Sequence, residues 1–510
     1  MNGIIRWLVR IIRWIVKSNG SYLTTSQRTT HTYLLGQPNA GKSRTLESWI
    51  MQDINAGSGL AVIDPHGELI QDLYYRISLN PKTWRRVIIL DPCDPKWSMG
   101  FNPLAAVEGY SKERLALFLT DIVVKIWGLT PSSAPRLIWL LSNCFLALID
   151  LDLTLLDLPR FLRDANYRNS LLPQLQNEGA REYFQLEFPT KQSSVNQWTA
   201  PLLNKIGALI FDPDIRLMFS SGSTINFREV MDRKQILLVN LPKGIIGEGA
   251  SALLGAFIVA HIQKAALSRA DSRNRTPFYL YLDEFQNYTT DNIKDILAES
   301  RKYALSLTLA HQYLDQLSPD LRSAVLNTSG TIASFRVGFQ DARHMVREIF
   351  PSPDFQTTSE GRFKLDRFGS LPLLTFDENE SPMGWDGLTR LLTELRPREF
   401  WVKRRSSSKP TKLRSVDMPD PIYTPEVLAN MAKLLDSSGS RYGRLKSSAQ
   451  TSMDEPNQTI SVSGEGEDRT ETAIDGDEHE YGTSSRKPRI REKTKAPDNQ
   501  TGDEGEIIGL

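Results

Sequence analysis

Apolar positions along the chain follow two unlike patterns. "HTYLL" (residues 31–35), "GLAVID" (59–64) and "RVIILDP" (86–92) are nearly unbroken apolar runs. Short runs of this kind, bounded by turn residues, predict strands buried on both faces. Apolar residues at spacings of three and four lie between them, predicting helices over Arg44–Ile54 and from about residue 67 to Ile77. The loop "WSMGFNPL" follows the third strand. From about Ala105 to Ser221 the strand signal stops. "KERLALFLTDIVVKIWGL", "APRLIWLLSNCFLALIDL", "LLDLPRFLRDA" and "VNQWTAPLLNKIGALIF" there all carry helical spacing. Strands resume with "KQILLVNLP" (234–242), "FYLYLDE" (278–284), "LSLTLA" (305–310) and "TIASFRVG" (331–338), and a helix is expected from about Ala250 to Arg269. Strands alternating with helices predict an α/β fold around a buried, mostly parallel sheet, interrupted by an all-α insertion. "REFWVKRRSSSKPTKLRSV" (398–416) reads as a hairpin with a basic turn.

These patterns divide the chain into an N-terminal segment (1–30), an α/β domain in two parts (31–104 and 222–425) and an inserted helical domain (105–221). A tail follows (433–510), rich in Ser, Gly, Glu and Asp with almost no aromatic residue, and is expected to be disordered. Charge sharpens that division. The 510 residues carry a formal net charge of +1, yet Thr451–Leu510 holds 15 acidic against 7 basic residues, leaving +9 on residues 1–450. A mildly basic body permits a polyanionic partner. Cys93 and Cys144 make no metal or redox spacing, and the six histidines do not cluster. Reduced thiols in the cytoplasm are the natural expectation.

The N-terminus has its own pattern. In "IIRWLVRIIRWIVK", Arg6, Arg10, Arg13 and Lys17 recur at spacings of 4, 3 and 4, so a helix gathers them on one stripe among Trp and Ile. No stretch reaches the ~20 uninterrupted apolar residues of a membrane-spanning helix. A helix lying in a membrane surface fits, attaching a cytoplasmic protein to the inner face of the cell membrane through residues 1–20. A helix docked on its own domain and a targeting peptide are the other two readings.

Candidate chemistry begins at residue 36. Gly36, Gln37, Pro38, Asn39, Ala40, Gly41, Lys42 and Ser43 fit the phosphate-loop pattern, between a strand and a helix as its mechanism requires. Backbone N–H groups of the loop and of the helix start, through Arg44, converge on phosphates, and the helix dipole favours their charge. Lys42 reaches the β and γ phosphates, and the Ser43 hydroxyl ligates Mg²⁺. ATP and Mg²⁺ are therefore the expected cofactors. "FYLYLDEFQN" delivers Asp283 and Glu284 to a strand end. Asp283 suits a Mg²⁺ ligand acting through water, and Glu284 suits the group that deprotonates attacking water. Capping of the next helix is the alternative. Gln312, at the end of the neighbouring strand, is placed to sense a γ-phosphate. Arg301 is either a finger toward a transferring phosphoryl group or a helix-end cation. Asp64 is either a carboxylate near Mg²⁺ or a helix cap. Lys243 sits in a loop facing nucleotide, DNA or solvent. Arg404 and Arg405, with Lys403, Lys409 and Lys412, are either contacts to DNA phosphates or the charges of a solvated edge hairpin.

Seven ordered blocks carry a family resemblance: "GQPNAGKS", "AVIDPHGE", "LDPCDPKWSMGFNPL", "ILLVNLPKGIIGEGASALLGAF", "YLYLDEFQN", "AESRKYALSLTLAHQYLDQL" and "GTIASFRVGFQDA". Over residues 31–420 the chain resembles the type IV secretion coupling-protein ATPases (TraD/TraG-like) of the FtsK/HerA superfamily of DNA pumps. The resemblance implies a RecA-like motor with an inserted all-α domain, assembled as a hexameric ring around DNA. It puts the nucleotide lysine at Lys42, the second-motif acids at Asp283 and Glu284, the sensor glutamine at Gln312 and the arginine finger at Arg301. It also implies secretion-channel or relaxosome proteins as partners. The N-terminus departs from the pattern, with neither transmembrane helices nor room for a β-barrel before Gly36. Three functions follow: a DNA-translocating ATPase feeding a secretion or conjugation channel, a HerA-like translocase in DNA-end processing, or a substrate receptor whose ring nucleotide only stabilises.

Overall fold

The computed structural model describes residues 23–448 apart from 108–109, 221, 289–291, 351–355, 358–362, 365–384 and 408. The basic stretch 1–20 and the acidic segment from residue 449 lie outside the described residues.

Among the described residues up to 334 there are eight strands: β1 (His31–Leu35), β2 (Gly59–Asp64), β3 (Val87–Leu90), β4 (Trp97–Met99), β5 (Ile236–Asn240), β6 (Phe278–Leu282), β7 (Leu305–His311) and β8 (Ser329–Ser334). A two-residue ladder of β9 (Gln356–Thr357) and β10 (Phe363–Lys364) forms its own sheet. β11 (Glu399–Arg404) and β12 (Thr411–Arg414) make the expected hairpin. The main sheet has nine strands in the order β12-β11-β8-β1-β7-β6-β2-β5-β3. Every pair from β8 to β3 is parallel, and β11 joins β8 antiparallel. One strand, β7, therefore separates β1 from β6.

The unbroken apolar runs are explained by cover on both faces. Alternation sends Tyr33, Leu35, Ala61 and Ile63 to one face and Leu34, Leu60 and Val62 to the other. The first face packs beneath a helix of 21 residues, Glu248–Ser268, and continues into the inserted helical domain as one core. That helix is long and apolar enough to cross a membrane, but 89% of its apolar window is buried inside the protein. The second face is covered by α1 (Lys42–Asn55) and α2 (Glu68–Ser78). Residues 112–219 contain helices and no strand, as the spacing predicted.

Two expectations are corrected. "WSMGFNPL" is not all loop, since Trp97–Met99 forms β4 and pairs with β13 (Gly443–Leu445). Disorder does not begin at 433, because α3 (Pro425–Tyr442) is an ordered helix that closes the β3 edge. Its small residues, read as disorder-promoting, are what close approach needs. A Cβ on Gly439 would sit 2.2 Å from the Trp97 ring. Ser438 Oγ accepts the Ile89 N–H at 2.9 Å, and Arg441 donates to the Val87 carbonyl at 2.9 Å, so edge groups of β3 are satisfied.

Candidate functional site

Three neighbouring strand ends build the site. β1 runs into the Gly36–Ser43 loop, which turns into α1 at Gly41, held at φ +107°. A side chain there would meet the Arg398 backbone at 2.9 Å, and Arg398 N–H donates to the Ala40 carbonyl at 2.8 Å. Only glycine fits that clamp. Pro38, Asn39 and Ser43 are exposed, leaving the Ser43 hydroxyl accessible at the first turn of α1. Lys42 is 6% exposed, and its Nζ donates to the Gly36 carbonyl and to the Gln37 carbonyl at 3.2 Å. Burial holds its ammonium below the usual lysine range, with Glu284 and Asp283 pulling the other way.

β6 ends at Asp283 and Glu284, 6% and 7% exposed. Asp283 Oδ1 accepts the Glu284 N–H at 3.1 Å. Burial pushes its carboxyl up to about 7, reinforced by the charges of Asp64 and Glu284 and opposed by Lys42. Glu284 sits at φ +46°, an uncommon geometry for a non-glycine residue that clusters at functional sites. Its carboxylate does not cap a helix. Oε1 accepts from Gln312 Nε2 at 3.0 Å and Oε2 from Gln286 Nε2 at 2.8 Å. Gln312 arrives from β7, the strand between the phosphate loop and the two acids. Beneath it, the buried His311 ring bonds the Tyr33 hydroxyl at 2.5 Å, and burial drops its pKa to about 3, so it is neutral. The acids of this cleft outnumber its one buried cation, which suits a site completed by a divalent metal. Among the described residues no three His, Cys, Asp or Glu form a metal cage. Mg²⁺ would therefore take Ser43, Asp283, substrate oxygens and water, as that ion prefers.

The other candidates have different roles or positions, and Asp64, though beside Asp283, is engaged as a cap. Asp64 caps α2: Oδ1 accepts the His66 N–H at 2.8 Å and Oδ2 that of Ile70 at 3.2 Å. The Arg44 side chain is spent on Glu47 (2.9 Å), Asp72 (3.0 Å) and Asp420 (2.7 Å), so only its backbone stays with the phosphate loop. Lys243 begins a short helix at the end of β5, four strands from β1, roughly 19 Å at ~4.8 Å per strand. Arg301 is exposed in the turn before β7, at the opposite strand end from Gln312 and roughly 20 Å from it. It cannot serve the site of its own subunit. Arg404 pairs with Thr331 near the amino end of β8, and Arg405 donates to the Asn327 carbonyl at 2.5 Å, so both are also at the wrong end for nucleotide. Lys403 donates to the Glu348 carbonyl at 2.6 Å and Lys412 pairs with Glu399 at 3.0 Å, which leaves little of the basic turn uncommitted. Sequence reasoning missed Gln286, His311 and Arg398. Only Gln286, two residues past Glu284, carried a local signal.

A phosphate loop on β1, acids on β6 and a polar sensor on the strand between define a RecA-like P-loop NTPase fold, with an all-α insertion. Among the solved structures similar to it are several of one coupling protein. The bacterial conjugative coupling protein TrwB in an unbound monoclinic form superposes with a TM-score of 0.55 at 12% identity, over 81% of this chain and 92% of that one. TrwB with the ATP analogue ADPNP gives 0.56 at 13% identity, over 81% and 93%. TrwB with ADP and Mg²⁺ gives 0.53 at 13% identity, with the same coverage. No family model and no curated protein sequence matches the chain.

Proposed function

We propose that the chain is an ATP-driven DNA-translocating motor, related in role to coupling proteins that deliver DNA to a type IV secretion or conjugation channel. The observation that carries this is the convergence of Lys42, Asp283, Glu284 and Gln312 on three adjacent strand ends of a RecA-like sheet. The likeness to TrwB, a conjugative coupling protein described with ADPNP and with ADP and Mg²⁺, supports the choice of nucleotide and of role.

Each residue has a task. Lys42 exchanges its loop carbonyls for β and γ oxygens of ATP. Ser43 and Asp283 would hold Mg²⁺, which neutralises phosphate charge. Glu284, aimed by Gln286 and Gln312, accepts a proton from the water that attacks the γ-phosphorus as ADP leaves. Arg301, out of reach of its own site and exposed, supplies a guanidinium to the neighbouring subunit's site, which requires a ring, taken here as a hexamer around DNA. In trans such a residue is worth ~10³–10⁵ in rate. On this reading the motor works in the cytoplasm, at the membrane's inner face through residues 1–20, beside channel or relaxosome proteins.

Steady-state ATPase with and without single-stranded and double-stranded DNA tests this. DNA-stimulated hydrolysis that rises steeply with protein concentration is expected, and Arg301→Ala should bind ATP and lose most turnover. Mixing it with Glu284→Gln should restore part of the activity. Hydrolysis indifferent to DNA and to Arg301→Ala would leave a nucleotide-stabilised receptor instead.

A further inference from the structure

Behind the catalytic strands, at the carboxyl ends of β5 and β3, lies a cavity of about 670 Å³. It lies between α2, the loop after β3 and the C-terminal helix α3, beyond β2 from the Asp283 site. Its size falls within the ~300–1,000 Å³ of small-ligand sites. Four carboxylates line it: Glu68 and Asp72 from α2, Asp91 and Asp94 from the loop. The one lining arginine, Arg44, already faces three carboxylates. The cavity is therefore electronegative, and an anion is disfavoured there.

Two polar side chains in its lining lack partners. Tyr74 is 2% exposed and its hydroxyl has no hydrogen bond. Asn240 is 4% exposed, and while its Nδ2 donates to Asp91 Oδ2 at 2.7 Å, its Oδ1 has no donor. Unpaired buried polar atoms cost stability unless something arrives to bond them. Burial also holds the Asp91 carboxyl above the usual range, although Asn240, the Cys93 N–H and Lys446 already pull it down, and a further cation beside it lowers what penalty is left. The outer wall is apolar, with Tyr423, Met431 and Leu435 arranged to pack an aliphatic stem. A bare metal ion fits poorly, since among the described residues no three ligating side chains are gathered closely enough.

We propose that this cavity binds an organic cation, an alkyl-ammonium or guanidinium group on an aliphatic stem. The head pairs with Asp91 and, as the closed-in side chains of Asn240 and Tyr74 shift toward the cavity, donates to Asn240 Oδ1 and the Tyr74 hydroxyl, while the stem lies along Tyr423 and Leu435. A free polyamine and a basic side chain of a polypeptide share that chemistry.

Calorimetric titration of the nucleotide-free full chain with spermidine, and separately with the peptide acetyl-Ala-Arg-Ala-amide, tests it. Saturable binding of at least one probe is expected. Asp91→Asn should weaken it about tenfold or more, as loss of one hydrogen bond to a charged group implies. Ile245→Arg, at a 73% exposed position on the rim, should block the cavity without threatening the fold. Its unfolding temperature and Mg-ATP affinity should match the parent's. Tighter binding of spermidine assigns a free polyamine as the natural occupant, and tighter binding of the peptide assigns a protein partner. No saturable binding of either probe, or binding that neither variant weakens, overturns the proposal.

Discussion

Two buried polar constellations meet on β6, two residues apart. At Tyr281, the hydroxyl joins Arg28 at 2.6 Å and bonds Asp53, while Arg28 also pairs with Asp53 and reaches Gln52 Oε1 at 2.8 Å. At Asp283, the neighbours are Glu284, Asp64 and a Lys42 whose protons are spent on loop carbonyls. Both aspartates are pushed up by burial, Asp53 to about 6 and Asp283 to about 7. The first cluster contains its own cation and its hydrogen bonds close on one another. The second has an excess of carboxylate and is completed from outside. Burial alone does not mark a site. An uncompensated charge at the end of a strand does.

The largest effect that sharpens this contrast is on turnover. Glu284→Gln should keep ATP affinity and lose hydrolysis by about 10²–10⁴-fold, the usual contribution of a positioned base, in a steady-state assay. Activity near the parent's would break the assignment. Lys42→Ala should lose binding and hydrolysis together. Next comes stability. Arg28→Ala leaves Asp53 buried without its partner and should cost about 3–5 kcal/mol in denaturant unfolding, with nucleotide affinity per folded molecule unchanged. An unfolding curve like the parent's would remove the distinction between the clusters. Gln312→Ala is expected to cost less, about 1.5–3 kcal/mol in turnover, as loss of one hydrogen bond to a charged group implies.

The smallest effect carries the sign that matters most. The Asp283 carboxyl titrates near 7 in the folded chain, against an ordinary value near 4. The stability that it contributes is fully present below about 4 and is lost as pH rises through 7. Asp283→Asn avoids that loss, so without nucleotide the variant should be the more stable at pH 8 and gain nothing near pH 4. Each kcal/mol should read as about 1 °C in unfolding temperature for a folded body of this size. A variant that melts below the parent at pH 8 would show that the carboxylate is compensated after all.

Much of this architecture was legible in the chain. Seven of the strands could be read because both faces of each are buried, which turns alternation into continuous runs such as "GLAVID". The phosphate loop, Asp283, Glu284 and Gln312 were legible because strand-end chemistry is local in sequence. What the sequence hid has the opposite cause. The Arg44 side chain is held by Asp420, 376 positions away. Arg405 meets the Asn327 carbonyl, 78 residues earlier. Small residues near Gly439 signalled disorder because Trp97, the ring they accommodate, lies far back in the chain.

The clamp of Arg398 on Ala40 bears on how the protein is made. β1 needs β7 and β8 as neighbours, and its loop needs a backbone N–H from residue 398. Contacts of such long sequence separation form slowly, because closing the chain precedes any reward. During synthesis, at about 5–20 residues per second, the phosphate loop would wait many seconds for the segment that finishes it. Until then helices of the insertion, whose contacts are mostly local, can already be in place. The loop that opens the fold in sequence is among the last parts to be completed in time.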